Sequence, residues 1–276
     1  YETAMKDDQK SYGTIRTRSG RMKIFFVFLA ERGCTALQDI TPKLLADYVV
    51  SLNERYSSQG KASLLYTIRN FFSYNEFFEI LTFDPLPFLS GIHSKKHERL
   101  PSFYTAEEVR RVLNAVDRST LWGKTVYLMM LLACMYGLRS SDIKALDFAD
   151  INWTSRTLTI TQFKTHKAVS LPITDEILFA LLDYIKNARP RVDNPKVFIR
   201  LKKPYIPYSM NDHFGDKIFP YFEAAEIDTK GKHHGLHSLR HSLATNLLEM
   251  GTPVNEIAVI LGHSSAASTK AYVWSD

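Results

Sequence analysis

Cysteine is scarce in this 276-residue chain: Cys34 and Cys134 are the only two, and both lie in apolar stretches. So few thiols exclude a disulfide framework and fit a reducing compartment such as the cytoplasm. Long apolar runs are also missing, because the longest, from Val126 to Tyr136, is about half of what a bilayer crossing needs. No signal-peptide pattern opens the chain. We therefore expect a soluble, cytoplasmic protein with no membrane contact.

The charge balance favours a polyanionic partner. The chain has 35 Lys and Arg residues against 29 Asp and Glu residues, a formal net charge of +6. A basic surface raises the local concentration of anionic ligands such as nucleic acid, although charge alone does not identify the partner. The length allows two domains whose cores need neither disulfides nor metals. No internal repeat or low-complexity segment interrupts it.

Residues 1–90 predict a bundle of helices, because their apolar residues recur with a period near 3.6. Thr41 followed by Pro42 is a typical helix start, since threonine caps the helix and proline suits its first position. We interpret the phenylalanine-rich faces as core rather than as a ligand site. The first apolar stripe comprises Met22, Phe25, Phe26, Phe28 and Leu29.

Residues 91–103 predict an interdomain linker, because turn formers and basic residues replace the periodic apolar pattern. Its candidate DNA contacts are Lys95, Lys96 and Arg99. A short basic run is often simply solvated. The alternative is a strap that helps two basic domains to encircle a duplex, and the sequence leaves both readings open.

Residues 104–276 predict a second domain that is mainly helical with a small sheet. Thr105 and Glu108 form a capping-box pattern at its first helix. The apolar segment 126–136 predicts a buried helix that ends at Gly137. Segments 157–162 and 167–172 alternate polar and apolar residues and predict a hairpin that turns near Thr165 and His166. Further helices are expected over 175–188, 209–225, 238–250 and 254–261. The fold class is therefore mainly α with a small β-sheet (α+β).

Two arginines stand in patterns that suit a phosphate. A guanidinium matches two phosphate oxygens and stays charged at any working pH. Arg139 precedes Asp142 by three residues, so we expect the carboxylate to lie beside the guanidinium on one helical face; a purely structural ion pair is the alternative. His237 and Arg240 are also three apart, at the start of an apolar helix, where the helix dipole favours an anion.

Three further residues complete a candidate phosphodiester site. Lys164 lies on or beside the hairpin, where a lysine is usually a solvated charge. Held against a bent phosphate backbone, it could protonate a departing 5′ oxygen. His263 follows a Leu-Gly pair that ends a helix, and Tyr272 is a late tyrosine. A metal site on His234, His237 and His241 is disfavoured because Gly235 interrupts the run and Arg240 would adjoin the ion. No metal is expected.

The joint order of these motifs resembles the tyrosine recombinases, the phage-integrase family. The resemblance rests on Gly-Leu-Arg-Ser-Ser-Asp at 137–142, Lys164 in its hairpin, His-Ser-Leu-Arg-His at 237–241, Leu-Gly-His-Ser at 261–264 and Tyr272. It extends to the first domain through Ala-Glu-Arg-Gly at 30–33 and Ile-Arg-Asn-Phe-Phe at 68–72. The resemblance implies a helical core-binding (SAM-like) domain over 1–90 and a recombinase catalytic domain over 104–276.

The resemblance also implies a role for each candidate residue. Tyr272 would attack the scissile phosphate to give a 3′-phosphotyrosyl link, and Lys164 would be the general acid. His237 would act as base or positioning group, and Asp142 would support Arg139. The non-bridging oxygens would be held by Arg139, Arg240 and His263. Covalent catalysis by tyrosine conserves the phosphodiester energy, so no cofactor is expected.

The implied partners are double-stranded DNA core sites and three further copies of the chain, in a homotetramer that passes through a Holliday junction. Integration or excision of a mobile element is the favoured role, with possible accessory directionality factors and a nucleoid-associated location. Alternatives are chromosome-dimer resolution, DNA inversion, a type IB topoisomerase and a non-catalytic DNA-binding protein. Candidate DNA contacts of the first domain are Arg16, Arg18, Arg21, Lys23, Lys61 and Arg69. An ordinary solvated surface is the alternative for these residues.

The two ends of the chain depart from the family pattern. It begins at Tyr1 rather than at a methionine, and it stops four residues after Tyr272, where relatives continue into a tail that docks on a neighbouring protomer. We expect either a trimmed fragment or a different mode of assembly. We also expect contacts with core sites only, because no arm-binding domain precedes Tyr1.

Overall fold

The structure, a computed structural model, describes residues 1–74, 80–90 and 103–262. It divides into two compact units, Tyr1–Glu98 and Arg99–Asp276. No helix within the described ranges has the length and apolar character needed to cross a membrane. The structure is mainly helical with one three-stranded sheet, so the predicted fold class is confirmed.

The first unit is built from helices. Thr41 caps the third of them, because its hydroxyl oxygen accepts a hydrogen bond from the Leu44 amide at 3.2 Å, and Pro42 is the first helical residue. This start is the one that the sequence predicts. Short 3₁₀ turns lie at Leu37–Asp39 and Pro87–Leu89. The α-helices are α1 (Glu2–Asp7), α2 (Tyr12–Ala30), α3 (Pro42–Ser51) and α4 (Ser58–Phe72).

An aromatic core joins the helices of the first unit. The Phe25 ring packs edge-on against Tyr48 at 4.9 Å and against Phe72 at 6.4 Å, and all three side chains are fully buried. The phenylalanine-rich faces are therefore core, as predicted. Phe26 is the exception, because it is 41% exposed. It lies about 100° around the helix from Phe25, at the edge of the buried face, and its ring contacts those of Phe25 and Phe71 with centroids 5.9 Å apart in each pair.

The second unit combines helices with the sheet. Its first helix begins at the predicted capping box, in which the Thr105 amide donates to Glu108 at 2.7 Å and the Glu108 amide donates to Thr105 at 3.2 Å. The elements, in chain order, are α5 (Ala106–Asn114), α6 (Leu121–Tyr136), α7 (Ser140–Ala145), β1 (Ile151–Asn152), β2 (Thr157–Thr161), β3 (Ala168–Pro172), α8 (Asp175–Asn187), α9 (Gly215–Ala224), α10 (Leu236–Glu249) and α11 (Val254–Leu261).

Helix α6 is the centre of the second unit's core. It is buried along nearly all of its length, and α8 and α10 pack against it. The predicted apolar run is confirmed as a helix, although the helix starts earlier because the Thr120 hydroxyl oxygen accepts from the Gly123 amide at 2.9 Å. It ends where predicted, since Gly137 adopts a left-handed conformation with φ of 61°. The chain then enters the segment that carries Arg139.

The predicted hairpin is confirmed as β2 and β3, which pair antiparallel with Leu158 opposite Leu171. A third strand, β1, adds to the β2 edge and was not predicted because it has only two residues. The helix expected from Ser209 begins only at Gly215. Segment 209–214 is held otherwise: the buried Lys144 ammonium donates to the Met210 and Asp212 carbonyls at 3.0 and 3.1 Å.

Candidate active site

The guanidinium groups of Arg139 and Arg240 converge on the turn that ends α11. Arg240 is fully buried in α10 and donates through Nη2 to the Leu261 carbonyl at 2.8 Å and through Nη1 to the Gly137 carbonyl. Arg139 donates through Nη2 to the Gly262 carbonyl at 3.4 Å. Two cations that come from distant parts of the sequence are therefore fixed to adjacent carbonyls, directly before position 263.

Two glycines allow this close approach. Gly137 ends α6 with φ of 61°, and a Cβ there would lie 2.5 Å from the Leu261 side chain. Gly262 ends α11 with φ of 60°, and a Cβ there would lie 2.1 Å from Nε2 of Gln162. Glycine is favoured at both positions, because the left-handed backbone strains other residues and a Cβ would displace the neighbouring side chain. The sequence motifs Gly-Leu-Arg and Leu-Gly-His thus have a steric cause.

Asp142 connects Arg139 with the hairpin. Its buried carboxylate accepts a hydrogen bond from the Phe163 amide through Oδ1 at 2.9 Å, and Oδ2 lies 3.8 Å from Nη1 of Arg139. The predicted pair therefore exists, but not on one helical face. Arg139 precedes α7 with an extended backbone, and the carboxylate reaches back to it from the first turn of the helix. Asp142 also places the turn that carries Lys164, whose side chain is exposed.

Gln162 is a member of this cluster that the sequence reasoning missed. Its Oε1 accepts from Arg139 Nη1 at 3.1 Å and from the Thr165 hydroxyl at 2.7 Å, and its Nε2 donates to the Leu261 carbonyl at 3.4 Å. The available signal was strand alternation. Leu158 and Ile160 point inward from β2, and Gln162 follows them in the same register as a buried polar side chain.

His237 and Arg240 lie in the first turns of α10, as predicted. The His237 ring contacts that of His241, with the two Nε2 atoms 2.8 Å apart, so one of them must carry the proton that joins them. Although part of His237 is exposed, burial of its ring and the nearby positive charges of Arg240 and Arg139 lower the pKa of this imidazole. The neutral form therefore persists to lower pH than in an ordinary histidine.

The histidine-rich segment does not assemble as a metal site in the described part of the chain. No group of three or more His, Cys, Asp or Glu side chains that could hold a metal occurs among those residues. The His234 ring instead packs against Phe219, with centroids 4.3 Å apart and the rings tilted by 42°. Five predicted site residues lie outside the described ranges, and the structure does not bear on them: Lys95, Lys96, Arg99, His263 and Tyr272.

The candidate DNA contacts of the first unit lie on α2 and α4. Arg21 donates to the Ser63 carbonyl at 3.4 Å and Lys61 donates to the Asn53 amide oxygen at 2.9 Å, so both cations already have partners within the unit. Arg18 likewise donates to Asn70. The exposed members of the set are Arg16, Lys23 and Arg69. Their role in DNA binding stays a prediction.

Comparison with known proteins agrees with this arrangement. The sequence pattern of the phage integrase family matches residues 102–276. The chain is 27% identical over 273 residues to the putative integrase/recombinase y4rA of Sinorhizobium fredii, covering 99% of this chain and 66% of that protein. It is 30% identical over 238 residues to tyrosine recombinase XerD of Proteus mirabilis, covering 84% and 73%.

The fold is that of a solved recombinase. A lambda integrase tetramer bound to a Holliday junction superposes with a TM-score of 0.71 at 18% identity, covering 96% of this chain and 76% of that chain. The chain belongs to the phage integrase family, the family of the tyrosine recombinases. It spans slightly less than two thirds of the length of y4rA.

Proposed function

We propose that the chain cleaves and rejoins double-stranded DNA through a covalent bond between Tyr272 and the 3′ phosphate. The observation that carries the proposal is the convergence of Arg139 and Arg240 on the adjacent carbonyls of Leu261 and Gly262. Phosphoryl transfer requires preorganised positive charge around the non-bridging oxygens. Two buried or half-buried guanidinium groups, hydrogen-bonded to the turn that ends α11, would supply that charge without a metal or cofactor.

The proposed reaction is a single displacement at phosphorus. The Tyr272 oxygen forms a bond to phosphorus while the bond from phosphorus to the 5′ oxygen breaks. His237 accepts the tyrosine proton, or positions that hydroxyl, and Lys164 donates a proton to the departing oxygen. Arg139, Arg240 and His263 bind the non-bridging oxygens, and Asp142 directs Arg139. The lowered pKa of His237 suits a proton acceptor, because the imidazole is neutral at the working pH.

The proposed substrate is duplex DNA at core sites, bound by both units of the chain. The first unit would be the core-binding domain and the second the catalytic domain. A net charge of +6 supports phosphate binding. We further propose a homotetramer that exchanges strands through a Holliday junction, a cytoplasmic, nucleoid-associated location, and integration or excision of a mobile element. The last role is supported by the y4rA relative, a putative integrase/recombinase.

The experiment that tests the reaction traps the covalent intermediate. Duplexes from candidate element junctions are nicked close to the scissile phosphate. Cleavage then releases a short fragment that carries the free 5′ hydroxyl, and because this fragment diffuses away, religation fails. The protein is incubated with them in EDTA, and adducts are separated on a denaturing gel. We expect an adduct with the wild type and none with Tyr272→Phe, because the substitution removes the nucleophilic oxygen.

Tyr205→Phe is the matched control, since Tyr205 is a second tyrosine of the same unit and its own side chain is exposed. It should form the adduct as the wild type does, and Tyr272→Phe should still bind DNA in a mobility-shift assay. Binding without an adduct on any junction would contradict the proposal and favour a non-catalytic DNA-binding protein. Relaxation of supercoiled DNA without exchange between two duplexes would favour the topoisomerase alternative.

A further inference from the structure

We propose that Gln162 is a positioning residue for strand cleavage, which holds Arg139 and the turn bearing Lys164 in one arrangement. The inference rests on the proposed reaction and assigns a role to a residue outside its chemistry. Gln162 is 2% exposed, yet its amide contacts three segments that each carry or adjoin a proposed catalytic group.

The first of these contacts fixes the direction of the Arg139 guanidinium. Gln162 Oε1 accepts from Arg139 Nη1 at 3.1 Å, whereas the carboxylate of Asp142 is 3.8 Å from the same nitrogen. The amide is therefore the closer partner of Nη1. Gln162 is itself held by its backbone, which donates to the Lys167 carbonyl at 2.9 Å and accepts from the His166 amide at 2.8 Å. The acceptor that directs Arg139 thus belongs to a residue whose backbone is hydrogen-bonded on both sides of the hairpin turn.

The second contact acts on the turn that carries Lys164. The Thr165 hydroxyl donates to the same Oε1 at 2.7 Å, so one oxygen is shared by the arginine and by the residue next to Lys164. A displacement of this oxygen would move the proposed general acid and the proposed phosphate-binding arginine together. Proton transfer and charge stabilisation both depend steeply on geometry.

The third contact connects the amide with the turn before position 263. Gln162 Nε2 donates to the Leu261 carbonyl, which also accepts from Arg240 at 2.8 Å. Gly262 packs directly on the amide, and no side chain fits between them. A buried amide with all of these partners has one stable orientation, because turning it over would place donors against donors.

The proposed role of Gln162 requires that its side chain carry no charge. A carboxylate in place of the amide could still accept from Arg139, but it would offset the positive charge intended for the phosphate and would repel that phosphate. It would also lose the donor to Leu261. Gln162→Glu should therefore impair cleavage even though it is similar in size and keeps an acceptor. A purely space-filling role predicts the opposite result.

The test measures single-turnover cleavage of two nicked duplexes by the full chain. One has an ordinary scissile phosphate, and the other has sulfur in place of the bridging 5′ oxygen. The sulfur leaves as a thiolate without needing a proton, so it bypasses the general acid. Gln162→Met, which keeps the length of the side chain and removes its amide, should lose about 100-fold in cleavage of the ordinary duplex, since small misplacements near the chemistry cost that much.

Thr165→Val isolates one arm of the network, because it removes only the hydroxyl that bonds Gln162. We expect about a tenfold loss with the oxygen substrate, as part of the general-acid contribution, and full recovery with sulfur. Gln162→Met should recover only in part, because Arg139 stays misdirected. Thr159→Val is the matched control: its exposed hydroxyl lies on β2, and this variant should cleave both substrates as the wild type does.

Wild-type cleavage and the variant ratios answer separate questions. Absence of any wild-type adduct would reject the proposed function, and the role of Gln162 with it. If the wild type cleaves, and Gln162→Met and Gln162→Glu both cleave as fast as the wild type, only the positioning role is overturned. If Gln162→Met does not fold, as judged by its fluorescence, Thr165→Val decides: no loss with oxygen, or a loss that sulfur fails to restore, overturns the proposal.

Discussion

Alanine at Gly262 should destabilise the second unit chiefly through its contact with Gln162. The new Cβ would lie 2.1 to 2.4 Å from the three terminal atoms of that amide. Overpacking of this kind costs about 1–3 kcal/mol, and a non-glycine residue at φ of 60° adds about 1 kcal/mol. Gly262→Ala should therefore reduce the free energy of unfolding by about 2–4 kcal/mol in total.

A double-mutant cycle separates the two contributions. In a Gln162→Ala background the clashing atoms are gone, so Gly262→Ala should cost only the backbone strain of about 1 kcal/mol. Urea denaturation followed by tryptophan fluorescence measures this, because all three tryptophans of the chain, Trp122, Trp153 and Trp274, belong to the second unit. If Gly262→Ala costs the same in both backgrounds to within about 0.5 kcal/mol, the contact between Gly262 and Gln162 is wrong.

Three further predictions concern stability, pH and salt. Gly123→Ala should destabilise the protein by about 3 kcal/mol, because the new Cβ would lie 1.8 Å from the Asp117 carbonyl oxygen. Gly20→Ala, with open space around it, should stabilise the protein by about 0.5–1 kcal/mol. Thermal denaturation followed by circular dichroism measures both changes in stability, and changes of the same sign would contradict the packing. Cleavage should persist as the pH falls through about 6.5 and decline only below it, because the pKa of His237 is lowered and its neutral form accepts the proton; a decline centred above that pH in a rate profile would exclude this role. Lys23→Gln should reduce the slope of log affinity against log salt by about 1 in a DNA-binding titration if its exposed ammonium meets a phosphate, and an unchanged slope would remove Lys23 from the interface.

Elements governed by local chemistry could be predicted from the sequence. The capping box at Thr105, the start of α3 at Pro42 and the end of α6 at Gly137 depend on neighbours within one helical turn. The hairpin could also be predicted, since polar and apolar side chains alternate on either side of a short turn. In the site, spacing alone predicted that Asp142 would approach Arg139.

Features that depend on distant segments could not be predicted in the same way. The 209–214 stretch was predicted to be helical, but its Met210 and Asp212 carbonyls accept from a buried lysine, Lys144, of another element. Strand β1 is too short to show a pattern and exists because β2 offers an edge. Gln162 looks like an ordinary strand residue until Arg139 and Leu261 are brought to it. The extended backbone of Arg139 could not be predicted, because spacing cannot distinguish a helical residue from one that precedes the helix.

The most direct test of the central claim is to identify the residue that carries the DNA. The adduct formed on nicked duplex in EDTA is digested with nuclease and trypsin, and the peptides are sequenced by mass spectrometry. Trypsin cuts the chain after Lys270 and releases a peptide that begins at Ala271 and contains Tyr272. The account predicts a nucleotide linked through its 3′ phosphate to Tyr272 in that peptide. A nucleotide on any other residue would contradict it.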